Sequence, residues 1–451
     1  MNDRQLAPRI GILLLTAFNL PIAAQTATDW QQRQLQAMSK ADAIMQRAQA
    51  YQGLLTQYRI MRRAYAADRD PAFRSIFGQY LSWQLSFLGD YAAAEKAFSV
   101  PRPAQADDAP SPLEMTGYRP VPAIDYLPRL AAKHRVVFFN EAHNIALTRT
   151  LTTRLLRALR AEGFNTFAVE TLRRSNIDGL RKRGYPIETS GFYTREPIYA
   201  EMVRTALKLG YRVVAYEADE SLNGDAREAQ QAQHLWNILR HDPHARLVVN
   251  AGYEHIVESG PFLGTMSMAE HFRQDSGIVP LTVEQTWLIP HPEASQDHPV
   301  YRQIIAALHP RQPLIFIGPG GKPWSLRPGY DVSVIFPAEH LQRGRPTWLG
   351  LWGLRVPFAV KDSICRERFP CVVQARYADE GDDAVPADRV VLDPAPLMTI
   401  GDTDVFRDNS NFPAGELYLR PGDYVLTAID ENGHTVGRRS IQVITDEAPK
   451  P

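Results

Sequence analysis

Short hydrophobic runs alternate with amphipathic stretches through the middle of the chain. The runs predict strands, and the amphipathic stretches predict helices, two of which end at Gly163 and Gly210. Alternation of strand and helix implies right-handed crossovers and a mainly parallel sheet. We therefore predict an α/β domain over residues 113–340. Its first four strands are Arg135–Phe139, Thr166–Val169, Arg212–Tyr216 and Arg246–Asn250, and its crossover helices are Thr148–Glu162, Pro197–Leu209, Arg227–Arg240 and Met266–Gln274.

A helical, repeat-like module and a proline-rich linker are predicted for residues 25–112. Asp29–Gln52 and Leu54–Ala67 carry apolar residues at helical spacing. The stretch Leu88–Tyr91 resembles the turn of a tetratricopeptide-type hairpin. Four prolines in Pro101–Pro112 break any further helix. The module either docks a partner protein or caps the main domain.

Beyond residue 340 the pattern changes to short alternating runs with frequent Pro and Gly. Turn sequences separate these runs, as at Pro421-Gly422-Asp423 and Glu431-Asn432-Gly433. Residues 341–451 are therefore predicted to form a small β-sandwich. The runs are Val390–Leu392, Glu416–Leu419, Tyr424–Ala428 and Arg439–Val443.

Residues 1–24 have the pattern of an export signal. Arg4 and Arg9 precede or flank a short apolar core, and small residues follow at Ala23 and Ala24. We expect a periplasmic or secreted protein without a transmembrane span after cleavage; an uncleaved anchor is the alternative. The only two cysteines, Cys365 and Cys371, lie close together and are expected to form a disulfide in an oxidising compartment.

The charge balance excludes one class of partner. Lys and Arg total 50, as do Asp and Glu, so the formal net charge is zero. No overall basic field attracts the chain to nucleic acid. We therefore expect a small-molecule or peptide substrate and no nucleic-acid partner.

Acidic or histidine side chains follow each of the first four predicted strands. They are Glu141 with His143, Glu170, Glu217 and His255. Because the carboxyl ends of parallel strands meet at one edge of a sheet, we expect these side chains to share a cleft. The alternative for a single strand-end glutamate is a cap on the next helix.

Two chemistries fit such a cleft. A divalent metal ion held by His143, Glu170 and His255 would polarise a carbonyl and activate water. Without metal, a histidine held by a carboxylate would act as general base. Arg227 would orient an anionic substrate or stabilise developing charge. Aromatic residues that are candidates for the pocket wall, although more often part of a core, are Tyr193, Tyr199, Tyr253 and Trp287.

The cleft residues resemble a known group of proteins. Asn140-Glu141-Ala142-His143 is similar to the Gly-Glu-x-His start of the haem-binding ChaN-like and TIKI/TraB group, and more distantly to the start of the erythromycin esterases. Gly252-Tyr253-Glu254-His255 matches the group's second Gly-x-x-His motif, and Glu170 and Arg227 match its second acidic position and its arginine. The resemblance runs from the first strand to about Thr286.

The resemblance leaves two functions open. One is an exported hydrolase of ester or amide bonds. The other is an envelope protein that binds haem or iron without turnover, with Tyr253 or His255 as axial ligand. The group usually has Gly where this chain has Asn140, whose side chain would narrow the loop or donate a hydrogen bond. The longer Glu-to-His spacing of the esterases is also absent, which argues against macrolide ester cleavage.

Overall fold

The computed structural model describes residues 24–260, 262–393 and 415–444. The predicted signal segment lies outside the described residues except for Ala24. The predicted fold class is confirmed: helices precede a mostly parallel eight-stranded sheet, and antiparallel sheets follow it. Within the described ranges, no helix combines the length and apolar character needed to cross a membrane.

Four helices form the N-terminal module: α1 (Ala24–Gln49), α2 (Leu54–Ala67), α3 (Pro71–Leu88) and α4 (Tyr91–Ala97). The side chain of Asp70 caps α3 by accepting from the N–H of Phe73 at 2.9 Å. Helix α3 ends at Gly89, whose φ of 79° is in the left-handed region. Every residue of α3 from Ile76 to Leu88 is buried. The module therefore packs on the rest of the protein as a cap, and the linker Pro101–Pro112 contains no helix or strand.

The central sheet has the strand order β1-β7-β8-β6-β2-β5-β3-β4. Strands β2 to β6 and β8 run parallel, whereas β7 is antiparallel to β8 and β1 is antiparallel to β7. The strands are β1 (Arg119–Pro122), β2 (Val136–Glu141), β3 (Thr166–Val169), β4 (Arg212–Ala215), β5 (Leu247–Gly252), β6 (Leu281–Leu288), β7 (Leu314–Ile317) and β8 (Val332–Ile335).

Helices cover both faces of this sheet, which explains the unbroken hydrophobic runs of its strands. In β2, Val137 and Phe139 face one apolar core, and Val136 and Phe138 face the other. All four are fully buried. The helices are α5 (Ala123–Ala131), α6 (Leu147–Ala161), α7 (Ile177–Arg183), α8 (Pro197–Lys208), α9 (Gly224–His241), α10 (Met268–Ser276) and α11 (Pro299–Leu308).

Two antiparallel sheets make up the C-terminal part, after a short pairing of β9 (Leu341–Gln342) with β10 (Arg345–Pro346). One sheet pairs β11 with β14, and the other has the order β13-β12-β15-β16. They share one apolar core that includes Cys365 and Cys371, which form the predicted disulfide. The strands are β11 (Val356–Val360), β12 (Cys371–Tyr377), β13 (Asp388–Leu392), β14 (Gly415–Leu419), β15 (Gly422–Asp430) and β16 (Thr435–Val443).

Candidate active site

The strand register brings the predicted side chains to one edge of the sheet. Glu141 at the end of β2 pairs with Gly252 at the end of β5. Val169 of β3 pairs with Asn250 of β5, so Glu170 follows at the same level. The loops after β2, β3, β4 and β5 consequently meet around one cleft, as expected for the carboxyl edge of a parallel sheet.

Glu141 and His143 form a carboxylate–imidazole pair. Nδ1 of His143 donates to Oε1 of Glu141 at 2.8 Å. The other carboxylate oxygen accepts from Nε of Arg149, which also donates through Nη2 to the carbonyl of His143 at 2.7 Å. Burial alone would raise the pKa of Glu141, but Arg149 and His143 lower it below the usual range. Glu141 is therefore an ionised carboxylate that fixes the orientation of the imidazole.

Backbone and two aromatic rings enclose the imidazole of His143. Tyr193 stacks on it with 4.3 Å between ring centroids, and Tyr253 meets it edge-on at 5.0 Å. The opposite contact is Gly252, where a Cβ would stand 2.4 Å from Nε2. Nε2 makes no hydrogen bond within the described residues. It is left free to take a proton from a substrate or a water molecule.

Arg227 lies at the centre of the acidic side chains. Its guanidinium donates to both oxygens of Glu217, at 3.1 and 3.0 Å, and to Oε1 of Glu170 at 3.0 Å. Its Nη1 is 3.3 Å from Oε1 of Glu228. Burial would lower the pKa of Arg227, but these carboxylates raise it above its ordinary value. Arg227 is thus a permanent cation that is already surrounded by three anions.

Glu170 connects the two histidines. Its Oε1 is 3.9 Å from Nε2 of His255, and its Oε2 accepts from the N–H of Gly252, against which His143 packs. Burial would raise the pKa of Glu170, but His255, His143 and Arg227 lower it to about 2. A carboxylate of such low basicity orients and charges its neighbours rather than accepting a proton.

His255 repeats the arrangement of His143 with a different carboxylate. Nδ1 of His255 donates to Oε2 of Glu228 at 2.7 Å, and Nε2 lies 3.4 Å from Nη1 of Arg227. Burial would lower the pKa of His255, but Glu228 and Glu170 raise it above its usual value. The ring is covered by Phe262, with 5.0 Å between centroids. These two carboxylates therefore stabilise the imidazolium form of His255.

All six side chains expected to be catalytic lie in this one cluster. They are Glu141, His143, Glu170, Glu217, Arg227 and His255. Glu170 and Glu217 bind Arg227, and neither caps the helix that follows it.

Sequence reasoning missed Arg149 and Glu228, both of which lie on helices rather than at strand ends. Arg149 is fully buried on α6 and also pairs with Glu196, at 3.2 Å. Glu196 accepts from the hydroxyl of Tyr91 at 2.7 Å, which ties the site to α4. The only sequence signal for Glu228 is its position beside Arg227 on the first turns of α9.

Tyr253, the expected cofactor ligand, forms one wall of the cleft. Its hydroxyl donates to Oδ1 of Asn144 at 3.1 Å, and its backbone has a φ of 43°. Burial raises the pKa of Tyr253 to about 12. A hydroxyl that is protonated and already bonded is poorly prepared to ligate iron, and the haem expectation stays a prediction.

The donor set does not fit a metal ion in its present arrangement. Among the described residues, no three His, Cys, Asp or Glu side chains converge as ligands for one ion. The expected set of His143, Glu170 and His255 is therefore not found as a ligand group. Between Glu170, Glu217 and Glu228, the position suited to a divalent cation is taken by the guanidinium of Arg227.

Among His143, His255 and Glu217, the side chain of Glu217 is the most exposed. The side chains of His143 and His255 are each 10% exposed, whereas Glu217 is 25% exposed. A separate cavity of about 670 Å³ is lined in part by Leu308 and Trp352 and contains none of the site residues.

Comparison with known proteins does not identify a family. No protein-family model matches the chain, and no curated protein matches it. One similar solved structure is the type III effector HopBA1, with 14% identity and a TM-score of 0.29 over 38% of this chain and 86% of that chain. Another is RRSP, a MARTX toxin effector domain from Vibrio vulnificus CMCP6, with 15% identity and a TM-score of 0.29 over 50% of this chain and 51% of that chain. Similarity at this TM-score defines neither a shared fold nor a function.

Proposed function

We propose that this protein is an exported hydrolase that cleaves ester or amide bonds of a small-molecule or peptide substrate without a metal ion. The observation that carries the proposal is that two imidazoles are each held by a carboxylate. Glu141 holds His143 and Glu228 holds His255, and Glu170 lies between the two pairs. The motif order supports membership in the group of ChaN-like, TIKI/TraB and erythromycin esterase proteins.

His143 is the general base in this proposal. Glu141 holds its Nδ1–H, so Nε2 carries the lone pair that accepts a proton. A water molecule bound beside Nε2 would lose its proton to His143 as its oxygen attacks the substrate carbonyl. General base catalysis of this kind contributes about a hundredfold to ten-thousandfold in rate.

His255 supplies positive charge and a proton in this proposal, whereas Arg227 holds Glu170, Glu217 and Glu228 in place. His255 stands beside Glu170, and Glu228 and Glu170 raise the pKa of its imidazole against the effect of burial. The oxyanion of the tetrahedral intermediate is stabilised by this charge. His255 then gives its proton to the leaving oxygen or nitrogen; for the next cycle His143 releases its proton to solvent and His255 takes one up from solvent.

Export is part of the proposal because the signal-like residues 1–24 and the disulfide between Cys365 and Cys371 agree. The helical module is proposed to serve the site rather than a partner. Ser86 donates to the carbonyl of Asn144, and Tyr91 reaches Glu196. Both contacts stiffen the loop that carries His143.

The test is product release from a panel of aryl esters and aryl amides by the purified protein. We expect turnover by the wild type that persists in the presence of a chelator and falls at least about a hundredfold in Glu170→Gln. A haem titration on the same preparation tests the binding alternative. If the protein shows no turnover but gives a haem absorption band, the hydrolase proposal is wrong and the haem-binding alternative takes its place.

A further inference from the structure

Arg102 is a cation near the cleft that has no anionic partner. In the linker, its backbone N–H donates to the carbonyl of Gln296 at 2.8 Å, which fixes the position of the residue. Its guanidinium forms neither a hydrogen bond nor an ion pair with any described residue, and its Nε is buried without a partner. By contrast, Arg149 and Arg227 are each bound by two or more carboxylates.

Trp287 holds the guanidinium of Arg102 at the active-site edge of the sheet. The Cζ atom of Arg102 lies 4.8 Å from the centroid of the indole, a cation–π contact. Trp287 follows Gln285, whose N–H donates to Oδ1 of Asn140 at 2.6 Å. Asn140 directly precedes Glu141, so the strand that carries Trp287 lies beside the strand that carries Glu141. Its charge lowers the pKa of Tyr253, the wall of the cleft, against the larger effect of burial.

A second polar group nearby also lacks a partner. Glu284 is fully buried and accepts through Oε1 from the N–H of Trp287 at 3.0 Å, but its Oε2 has no partner among the described residues. Burial raises the pKa of Glu284, although Thr286, Arg102 and Asn140 lower it. The hydroxyl of Tyr330 is likewise buried and unpaired. Buried polar atoms without partners cost free energy, so several in one place point to a ligand.

We propose that Arg102 and Trp287 form a specificity subsite that binds a carboxylate of the substrate. The substrate class is thus an ester or amide that carries a carboxylate on the side of the scissile bond facing Tyr253. The inference rests on the proposed hydrolase function and names its substrate. Arg227 cannot take this role, because three carboxylates already bind it.

Physical chemistry favours a carboxylate over a neutral group in this subsite. A guanidinium binds a carboxylate with two parallel charge-assisted hydrogen bonds. The indole holds the guanidinium by its face, which leaves the N–H edge free for the ligand.

The experiment compares two probe esters, neutral 4-nitrophenyl acetate and anionic mono-4-nitrophenyl glutarate. For the wild type we expect kcat/KM to be higher for the glutarate ester. In Arg102→Gln, the ratio of the two kcat/KM values should fall about tenfold to a hundredfold, the usual effect of losing a charged hydrogen-bond pair. Arg102→Lys keeps the charge and should retain part of the preference. Arg311→Gln, an exposed arginine away from the cleft, is the control and should leave the ratio unchanged.

Binding of glutarate, measured by calorimetry, separates the subsite from the hydrolase function. Binding to the wild type that weakens at least about tenfold in Arg102→Gln supports the subsite even if neither ester is cleaved. In that event only the hydrolase proposal fails. Equal binding of glutarate to both proteins, no binding to the wild type, or an unchanged ratio in Arg102→Gln overturns the subsite. A circular dichroism spectrum of each variant excludes loss of fold as the cause.

Discussion

The imidazole of His143 lies so close to Gly252 that a Cβ at that position would stand 2.4 Å from Nε2. The backbone of Gly252 has a φ of −78°, which every residue type adopts readily. Glycine is therefore needed at position 252 for the space it leaves and not for its conformational freedom. The second Gly-x-x-His motif of the chain thus provides the surface on which the histidine of the first motif lies.

Gly252→Ala is expected to displace the ring of His143 while leaving the fold intact. The methyl group and the imidazole cannot occupy the same space, and a displacement of about 1 Å costs about a hundredfold in rate. We predict this loss in kcat/KM, with a circular dichroism spectrum like that of the wild type. Gly350→Ala is the matched control, because its Cβ would meet nothing nearer than 3.5 Å. Wild-type turnover in Gly252→Ala would show that His143 does not act from the position described.

Glu141→Gln is expected to reduce both activity and stability. The sequence alone suggests a strand-end side chain facing an open cleft, but Glu141 is 1% exposed and paired with the buried Arg149. Removing one partner of a buried ion pair costs about 3 kcal/mol of unfolding free energy. We predict that loss in chemical denaturation, together with a rate at least about a hundredfold lower. The exposed Glu293→Gln should change neither quantity, and an equally stable, active Glu141→Gln would refute the assigned pairing.

Glu228→Gln is expected to move the alkaline limb of the pH–rate profile to lower pH. In the wild type, Glu228 and Glu170 raise the pKa of His255 against the effect of burial. With the Glu228 charge removed, His255 loses its proton at a lower pH, and the step that needs the imidazolium fails sooner. The measurement is kcat/KM between pH 5 and 9, with the exposed Glu220→Gln as control. If the alkaline limb of Glu228→Gln stays at the wild-type pH, the limb belongs to a group other than His255.

Glu258→Gln tests a carboxyl group that lies outside the proposed chemistry. Burial and the neighbouring Asp331 raise the pKa of Glu258 to about 7, although Thr282 donates to it at 3.0 Å. A raised carboxyl pKa stabilises the folded state at low pH, and this contribution is lost as pH rises from about 4.5 to 7. The free energy of unfolding of the variant, measured relative to that of the wild type, should therefore increase by about 1 kcal/mol from pH 5 to pH 8. This value is reduced for solvent screening.

Activity serves as the second readout for Glu258→Gln, which should hydrolyse substrate like the wild type. Denaturation curves at the two pH values measure the stability difference. A gain that is the same at pH 5 and pH 8 would contradict the raised pKa of Glu258. A large loss of turnover would instead bring Glu258 into the site.

Much of the central sheet follows from the sequence because its strands are buried on both faces. The predicted strand Thr166–Val169 agrees with β3 to the residue. The order of the strands in the sheet cannot be predicted from the sequence. Hydrophobic periodicity shows which faces of a strand are buried, but it does not show which strand lies next to it. Strand β12 was missed because its residues are buried almost without interruption, so the expected alternation is absent.

The site was predictable where a side chain follows a strand and unpredictable where it lies on a helix. His143, Glu170 and His255 follow strands, and the topology of a parallel sheet unites them. Arg149 lies within an amphipathic helix, where an arginine ordinarily faces solvent. Only the packing of α6 against Glu141 and Glu196 makes it a buried ion-pair partner.

The most direct test of the account is a double-mutant cycle on His143 and His255. Both imidazoles belong to one proposed catalytic unit around Glu170. When two groups act as a unit, the effects of removing them do not add. Each single change to Asn should therefore lower kcat/KM by about a thousandfold or more. The double variant should be little worse than the poorer single variant. Independent losses that multiply in the double variant, or a single variant with wild-type kcat/KM, would contradict the shared site.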